Sequence, residues 1–178
     1  MKNLIMEEYR VTLKIAAFLL EYPDAAWWED FPEYRAVAQE LKTPQSRDVF
    51  IDLFDYIEQF GRNEYEREYV RKFDFSQNTN LYLTTHNRTD FGKQSNEMLD
   101  YKKLFLDNGY DLQKELPDYL PAVLELAATV EPAQTKKILD TARDKIELLR
   151  DRFIEAKLPQ VFLLDIILAQ IATLEVTK

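Results

Sequence analysis

Apolar side chains recur every three or four residues along the first half of the chain, which is the spacing of one helix face. The first stretch stops at Tyr22-Pro23-Asp24, and a second runs from about Trp27 to Leu41. Ser46 is placed to cap a third helix, and Asn63 to cap a fourth. The pattern therefore predicts four helices, each too short to be stable without packing against its neighbours.

The helical pattern is lost between Asp74 and about Phe91. Leu81 to Thr85 alternates almost like a strand, but an isolated strand would have nothing to pair with here. We therefore predict an ordered loop rather than a strand. A fifth helix is predicted from about Lys93 to Asn108, before the chain reaches its proline-rich segment.

That segment, Glu115-Leu116-Pro117-Asp118-Tyr119-Leu120-Pro121, contains two prolines four residues apart, which cannot both sit inside one regular helix. Pro117 is predicted to end the preceding helix, whereas Pro121 suits the first turn of the next one. Asp118 is placed to cap that next helix and to favour its positive end. We refer to residues 115–121 as the hinge, because the pattern predicts a rigid link between two helices.

The remaining pattern predicts three more helices. One runs from the hinge to about Val130, and a long amphipathic helix follows, with Ile138 to Phe153 marking its apolar face. The last helix, Val161 to Leu174, is almost entirely apolar and is predicted to be the most buried one. It is shorter than the ~20 residues that a membrane span needs, so no membrane insertion is expected.

Composition agrees with an all-α fold. The chain has 178 residues with 3 glycines and 7 prolines, whereas all-β folds need frequent glycine-rich turns. No repeat and no flexible linker is evident. We therefore predict a single-domain helical bundle of about seven to nine helices over residues 1–178.

Charge and targeting signals narrow the partners. A net charge of −9 argues against nucleic acid and anionic lipid, since both need clustered cations, although it would suit a basic peptide. The amino terminus carries charges through its apolar positions and so lacks the centre of a signal peptide. The expected location is the cytoplasm.

Catalytic and metal chemistry find little support. The chain has no cysteine and one histidine, His86, which cannot supply a zinc or di-iron ligand set. Three glycines cannot build a phosphate-binding loop. We therefore predict no catalytic centre, no cofactor and no metal site. His86 itself is predicted to hydrogen-bond local backbone in its loop.

Four motifs, in order, resemble the respiratory nitrate reductase assembly chaperones of the NarJ family, related to the TorD-type chaperones of molybdoenzymes. Leu19 to Ala25 is similar to the family's amino-terminal signature, and Tyr69 to Asp74 to its tyrosine–phenylalanine–aspartate element. His86 follows an apolar run as the family's histidine does, and the hinge resembles the family's proline-rich segment. The resemblance covers roughly residues 13 to 174.

The resemblance implies an all-helical protein without a catalytic centre. Such a chaperone binds the amino-terminal segment of the reductase's catalytic (alpha) subunit and holds the apoprotein during molybdenum cofactor insertion. The cofactor-insertion machinery is a further candidate partner. An amphipathic helix could lie in a groove beside the hinge, with Asp74 and Asp118 pairing with cations and Phe73 and Tyr119 supplying contact area. The predicted peptide-binding residues are Phe73, Asp74, His86, Asp118, Tyr119 and Glu125.

Two other interpretations stay open at this point. The protein could be a helical adaptor whose hinge is only a corner and whose partner is unrelated to metalloenzymes. It could also be an enzyme that uses carboxylates and His86 for acid–base chemistry, which would require a polar pocket around that histidine. The hinge is compatible with a monomer or with a domain-swapped dimer.

Overall fold

A computed structural model describes residues 2–87, 90–112 and 115–176 of the protein. Within these ranges the chain forms eight α-helices, one π-helix and one 3-10 helix. The all-α prediction and its range of helix numbers are therefore confirmed for the described residues. The α-helices are α1 (Lys2–Leu20), α2 (Ala25–Gln39), α3 (Pro44–Phe60), α4 (Arg62–Tyr69), α5 (Phe91–Asp107), α6 (Leu120–Thr129), α7 (Pro132–Glu155) and α8 (Val161–Val176). The π-helix is Val70–Asp74, and the 3-10 helix is Leu83–Asn87.

The centre of the fold is a stack of four helices, in which α1 packs along α6, α6 against α7, and α7 against α8. Their facing side chains are apolar and completely or almost completely buried. Each such side chain contributes about 1.5–3 kcal/mol through removal from water. Representative members are Leu13, Leu19, Leu124, Ile146, Leu163 and Ile167.

The most buried helix is α6 rather than α8. Seven of the ten residues of α6 are buried, because α1 and α7 cover it from two sides. The longer α8 keeps exposed positions, including Phe162, whose side chain is 53% exposed. The prediction that the last helix is the most buried one is therefore wrong, although its start at Val161 is confirmed and its end lies two residues beyond the predicted Leu174.

Helices α2 and α5 begin two residues before their predicted starts, and α3 and α4 begin before the residues predicted to cap them. Helix α3 starts at Pro44, because proline fixes the backbone angle that a first turn needs, and Ser46 is buried inside the helix instead of capping it. The actual N-cap, Thr43, makes no capping hydrogen bond and donates its hydroxyl to Glu8. Helix α4 likewise starts before Asn63, with Gly61 as its N-cap.

The turn between α1 and α2 is fixed by hydrogen bonds and by stacked rings. Asp24 caps α2 by accepting a hydrogen bond from the Trp27 backbone N–H at 2.8 Å. The Trp27 indole donates to the carbonyl of Phe18 at 2.7 Å and stacks on its ring at 4.6 Å. These contacts hold Glu21 and Tyr22, which follow α1, in fixed positions.

Pro117 does not end a helix. Helix α5 already ends at Asp107, and Gly109 follows with a φ of 83°, which favours glycine. The second half of the hinge prediction is confirmed, since Pro121 lies in the first turn of α6. The hinge is thus the last part of a longer connection between α5 and α6.

Candidate peptide-binding surface

The loop before α5 pairs with the hinge. Tyr82 and Tyr119 form an isolated antiparallel β-bridge. The N–H of Leu83 donates to the carbonyl of Asp118 at 3.0 Å, and the N–H of Leu120 donates to the carbonyl of Leu81 at 2.9 Å. The expectation that the strand-like segment has nothing to pair with is therefore wrong. Its partner is the hinge itself, which is far away in sequence.

Asp118 lies at the centre of this contact and is completely buried. Its Oδ2 accepts hydrogen bonds from the Thr84 backbone N–H at 3.0 Å and from the Thr84 hydroxyl at 2.7 Å. Tyr119 is the N-cap of α6 and makes no side-chain capping bond. The prediction that Asp118 caps this helix is thus wrong, because its carboxylate turns back to the loop.

His86 is also buried and joins the loop to α7. Its Nε2 lies 3.0 Å from the carbonyl oxygen of Asn80, and its Nδ1 contacts the guanidinium of Arg152. Because a guanidinium can only donate, this arrangement suits the tautomer that carries its proton on Nε2. The predicted bond to local backbone is confirmed, and the imidazole lies in the interior rather than on a binding face.

Phe73 and Asp74 end the π-helix and differ in exposure. The ring of Phe73 is buried, with its centroid 4.9 Å from that of Tyr69 and 5.8 Å from that of Phe153. Asp74 is exposed. Phe73 therefore supports the surface from below, and only Asp74 can meet an external ligand directly.

Tyrosine side chains form a connected group above Phe73. The hydroxyl of Tyr69 donates to the carbonyl of Leu20 and lies 3.4 Å from the hydroxyl of Tyr119. The half-buried ring of Tyr119 also lies 5.0 Å from that of Tyr82, and Tyr22 meets Tyr69 edge to face at 5.7 Å. Burial raises the pKa of Tyr69 and of Tyr119, so both phenols stay neutral.

Acidic side chains border the tyrosines. Burial raises the pKa of Glu21 to about 7, and the negative charges of Glu125, Asp24, Glu115 and Asp30 add to this shift. Burial also raises the pKa of Glu125, while Lys14 partly offsets the shift. The effects on Glu21 indicate that Glu125 of α6 and Glu115 of the hinge lie near this residue, which follows α1.

We call this region the tyrosine–acid surface and define it by six residues from the end of α1, the loop, the hinge and α6. Asp74 lies at its edge, because its charge raises the pKa of Tyr82 after the effects of burial, Glu115 and Asp118. Of the residues predicted from sequence, the structure thus brings Glu115, Tyr119 and Glu125 together. The six residues are Glu21, Tyr22, Tyr82, Glu115, Tyr119 and Glu125.

The other predicted residues have different positions. Leu116 is 54% exposed, but it lines a cavity against α5. Pro121 is buried in the first turn of α6, and Pro117 is half-buried. Phe73, His86 and Asp118 lie beneath the surface and hold its loop and hinge in place.

Sequence reasoning missed Glu21, Tyr22 and Tyr82 as members of the surface. The first two lie inside the Leu19 to Ala25 stretch that resembles the family signature, so the signal was present. Tyr82 lies in the strand-like stretch whose pairing partner sequence did not reveal. Glu21 and Tyr22 directly follow the end of α1, and Tyr82 forms the β-bridge to Tyr119.

The surface is suited to binding rather than to catalysis. It offers aromatic area, hydroxyl groups and negative charge, which match an apolar and basic ligand. Among the residues that the structure describes, no group of three histidine or acidic side chains could hold a metal ion. Within the same ranges, no helix combines the length and apolar character needed to cross a lipid bilayer.

Comparisons with known proteins agree with the resemblance seen in the motifs. The family model described as nitrate reductase delta subunit matches residues 32–160. A relative from Bacillus subtilis strain 168, named probable nitrate reductase molybdenum cofactor assembly chaperone NarJ, is 29% identical over 95% of this chain and 92% of its own length. The Escherichia coli K12 nitrate reductase molybdenum cofactor assembly chaperone NarJ is 27% identical over 89% of this chain and 68% of its own length.

These relatives are named as assembly chaperones and not as enzymes, which agrees with the prediction that the chain has no catalytic activity. The family match covers both the tyrosines of α4 and the hinge. The chain therefore belongs to the nitrate reductase delta subunit family, which includes the NarJ chaperones.

Proposed function

We propose that this protein is a cytoplasmic assembly chaperone, acting as one helical domain, for a respiratory nitrate reductase. It binds the amino-terminal segment of the catalytic (alpha) subunit, which we call the leader. By holding the leader it keeps the apoenzyme open for molybdenum cofactor insertion, with the insertion machinery as a further partner. The names of its relatives support this activity, and the leader as the bound segment follows from the family resemblance.

The observation that carries the proposal is the tyrosine–acid surface. An amphipathic helix binds by placing its apolar face on aromatic side chains, while basic residues beside that face pair with carboxylates. Tyr22, Tyr82 and Tyr119 supply the first kind of contact. Glu115 and Glu125 supply the carboxylates. Glu115 lies in the hinge, and Glu125 lies in α6, which follows the hinge directly.

The predicted site residues have two roles in this proposal. Asp74, Tyr119 and Glu125 contact the leader directly, because they are exposed or half-buried. Phe73, His86 and Asp118 are positioning residues, because each is buried and bonded or packed below the surface. The buried group determines whether the exposed group is correctly arranged.

Calorimetric titration with a synthetic leader peptide from the same organism's reductase tests the proposal. We expect saturable one-to-one binding that a scrambled peptide does not show. Tyr119→Ala should weaken binding at least about tenfold, since truncating a central aromatic contact commonly costs more than 1.4 kcal/mol. Phe162→Ala is the matched control, because Phe162 is 53% exposed on α8.

Circular dichroism establishes that each variant is folded before its affinity is compared. Equal losses for Tyr119→Ala and Phe162→Ala would contradict the location of the site. A folded protein that ignores a soluble leader peptide would contradict leader binding itself. In that case, hinge variants that alter stability but leave reductase maturation intact in cells would favour the adaptor interpretation.

A further inference from the structure

A second feature adjoins the tyrosine–acid surface and has no role so far. A cavity of about 600 Å³ opens between the α1–α2 turn, α4 and the end of the π-helix. Val70 forms part of its lining, and Tyr22 and Phe75 contribute aromatic rings. The side chain of Phe75 is 83% exposed, the most of any large apolar residue described. An aromatic ring left this open beside a cavity is suited to contact with a partner.

Tyr22 connects this cavity to the tyrosine–acid surface. Its ring lines the cavity and also meets Tyr69, whose hydroxyl lies next to that of Tyr119. The preceding residue, Glu21, lies near enough to α6 for the charge of Glu125 to raise its pKa. The two neighbouring side chains therefore mark the junction between the cavity and the acidic region.

Cations line the cavity, whereas carboxylates line the region around Glu21 and Glu125. Arg67 and Arg71 line it together with a single carboxylate, Glu66. That carboxylate already accepts hydrogen bonds from the indole of Trp28 and the guanidinium of Arg62. Arg67 of α4 pairs with Glu64, and Arg71 of the π-helix pairs with Glu68, but the two arginine side chains remain 76% and 73% exposed.

We propose that the leader binds as a helix in one direction, with its amino terminus at Glu21 and Glu125 and its carboxyl-terminal turn in the Phe75 cavity. A helix carries partial positive charge at its amino terminus and partial negative charge at its carboxyl terminus. The acidic region and the Arg67–Arg71 rim complement these two ends. This inference rests on the proposed function. It adds the direction in which the leader binds and assigns Arg67, Arg71 and Phe75 to the leader's carboxyl-terminal end.

Blocking the terminal charges of the leader peptide tests the direction. Titrations at pH 7, where the peptide's amino terminus is mostly protonated, would use the peptide with a free or acetylated amino terminus and with a free or amidated carboxyl terminus. Each block also removes a terminal charge that opposes the peptide's own helix dipole, and this effect is the same against every protein variant. A lost pairing with the protein should therefore appear as a difference of about two- to fivefold between the effect of a block on the parent and its effect on the variant of the region that this end meets. The same peptides would then be titrated against charge variants of each region.

The variants identify which end of the peptide each region meets. In the double variant Arg67→Gln with Arg71→Gln, amidation should be about two- to fivefold less unfavourable than against the parent, and acetylation should have its parental effect. In Glu125→Gln, acetylation should be less unfavourable by the same factor, and amidation should have its parental effect. Lys136→Gln with Lys137→Gln, on α7, is the control and should respond as the parent does.

Phe75→Ala tests the apolar part of the inference and should weaken binding at least about fivefold. Phe162→Ala is its matched control, because Phe162 is 53% exposed on α8. The inference would be overturned, with leader binding left intact, by any of three results. The Arg67–Arg71 variant could change the effect of acetylation instead of amidation, neither variant could change the effect of either block, or Phe75→Ala could bind as tightly as the parent. Failure of every peptide form to bind the parent would instead overturn the proposed function, and this inference with it.

Discussion

Asp118 combines full burial with a contact to a distant loop, which makes its carboxylate a strong determinant of local structure. One oxygen accepts two hydrogen bonds from Thr84. The other, Oδ1, is buried and has no hydrogen-bond partner among the described residues. The side chain therefore stabilises the hinge–loop contact through one oxygen only. Substitutions that keep or remove that oxygen should have different effects.

We predict that Asp118→Ala lowers the free energy of unfolding by about 2–3 kcal/mol, because it leaves buried Thr84 donors unpaired. Asp118→Asn keeps an acceptor oxygen and should cost less than half as much. Urea denaturation measures both values, and Asp144→Ala on the exposed side of α7 should stay within about 0.5 kcal/mol of the parent. Equal costs for Ala and Asn would contradict the importance of the Thr84 bonds.

Glu21 should make stability depend on pH. Its folded-state pKa of about 7 lies above the ordinary value of 4.5, so the folded chain binds this proton more tightly than the unfolded chain does. Stability from this group is therefore complete below about pH 4.5 and is lost as the pH rises through 7. The loss should be on the order of 1–3 kcal/mol.

Glu21→Gln removes this titration, because glutamine keeps the shape without the charge. Thermal unfolding between pH 5 and pH 8 should show a smaller decline for the variant than for the parent. Glu155→Gln, an exposed change at the end of α7, is expected to leave the decline unaltered. Parallel curves for the parent and Glu21→Gln would show that Glu21 titrates normally.

Helix α6 is held at its carboxyl-terminal end by a side chain of α1. Arg10 on α1 donates through Nη1 to the carbonyl of Ala128 at 2.9 Å and to that of Val130 at 2.6 Å. These carbonyls lie at the end of a helix, where intrahelical donors run out. A cation from a neighbouring helix therefore replaces the usual cap.

We predict that Arg10→Gln destabilises the protein by about 1–3 kcal/mol, since the carbonyls lose a charged donor. Backbone hydrogen exchange should become faster at residues 126–131 and stay unchanged in α3. Lys137→Gln removes a cation from an exposed position on α7 and should produce neither effect. Uniform acceleration of exchange would indicate global rather than local destabilisation.

A structural element is predictable from sequence when the interactions that form it join residues close together in the chain. Helical periodicity placed α8 within two residues, and the fixed backbone of Pro121 placed the start of α6. The partner of the Leu81 to Thr85 stretch could not be found in this way, because it lies more than thirty residues away. Asp118 was assigned to the nearest helix end for the same reason, although its contact is a distant one.

The candidate surface was predictable in part. The hinge motif and the helix after it predict Tyr119 and Glu125 as members of the surface. A motif does not, however, distinguish an exposed residue from a buried one. His86 was therefore grouped with the surface, although packing against α7 places it inside. Exposure depends on packing between elements, which the order of residues does not specify directly.

On the scale of the whole molecule, two further clefts are smaller than the Phe75 cavity and lie on other faces. A cleft between α1, α3 and α8 measures about 390 Å³, and one between α5 and the hinge about 350 Å³. Both also have exposed apolar side chains, Phe162 in the first and Leu106 in the second. The tyrosine–acid surface and its adjoining cavity differ in joining aromatic area to separated regions of opposite charge.

We therefore predict the area that the leader peptide covers. Saturating peptide should slow backbone hydrogen exchange at residues 20–24 and 66–75, where the α1–α2 turn meets α4 and the π-helix, and at Tyr82, residues 115–120 and Glu125 of the tyrosine–acid surface. Residues 98–106 and 161–173, which line the other two clefts, should exchange as in the free protein. A scrambled peptide at the same concentration provides the baseline.

The footprint distinguishes three cases by their position on the molecule. Slower exchange in α8 or in α5 alone would place the leader in another cleft and contradict the charge argument. Slower exchange everywhere would indicate global stabilisation by mass action, and the peptide concentration would then be lowered until only local effects remain. Protection limited to the predicted segments would place the leader across the tyrosine–acid surface and the Phe75 cavity, where the tyrosines, the carboxylates and the two arginines decide how it binds.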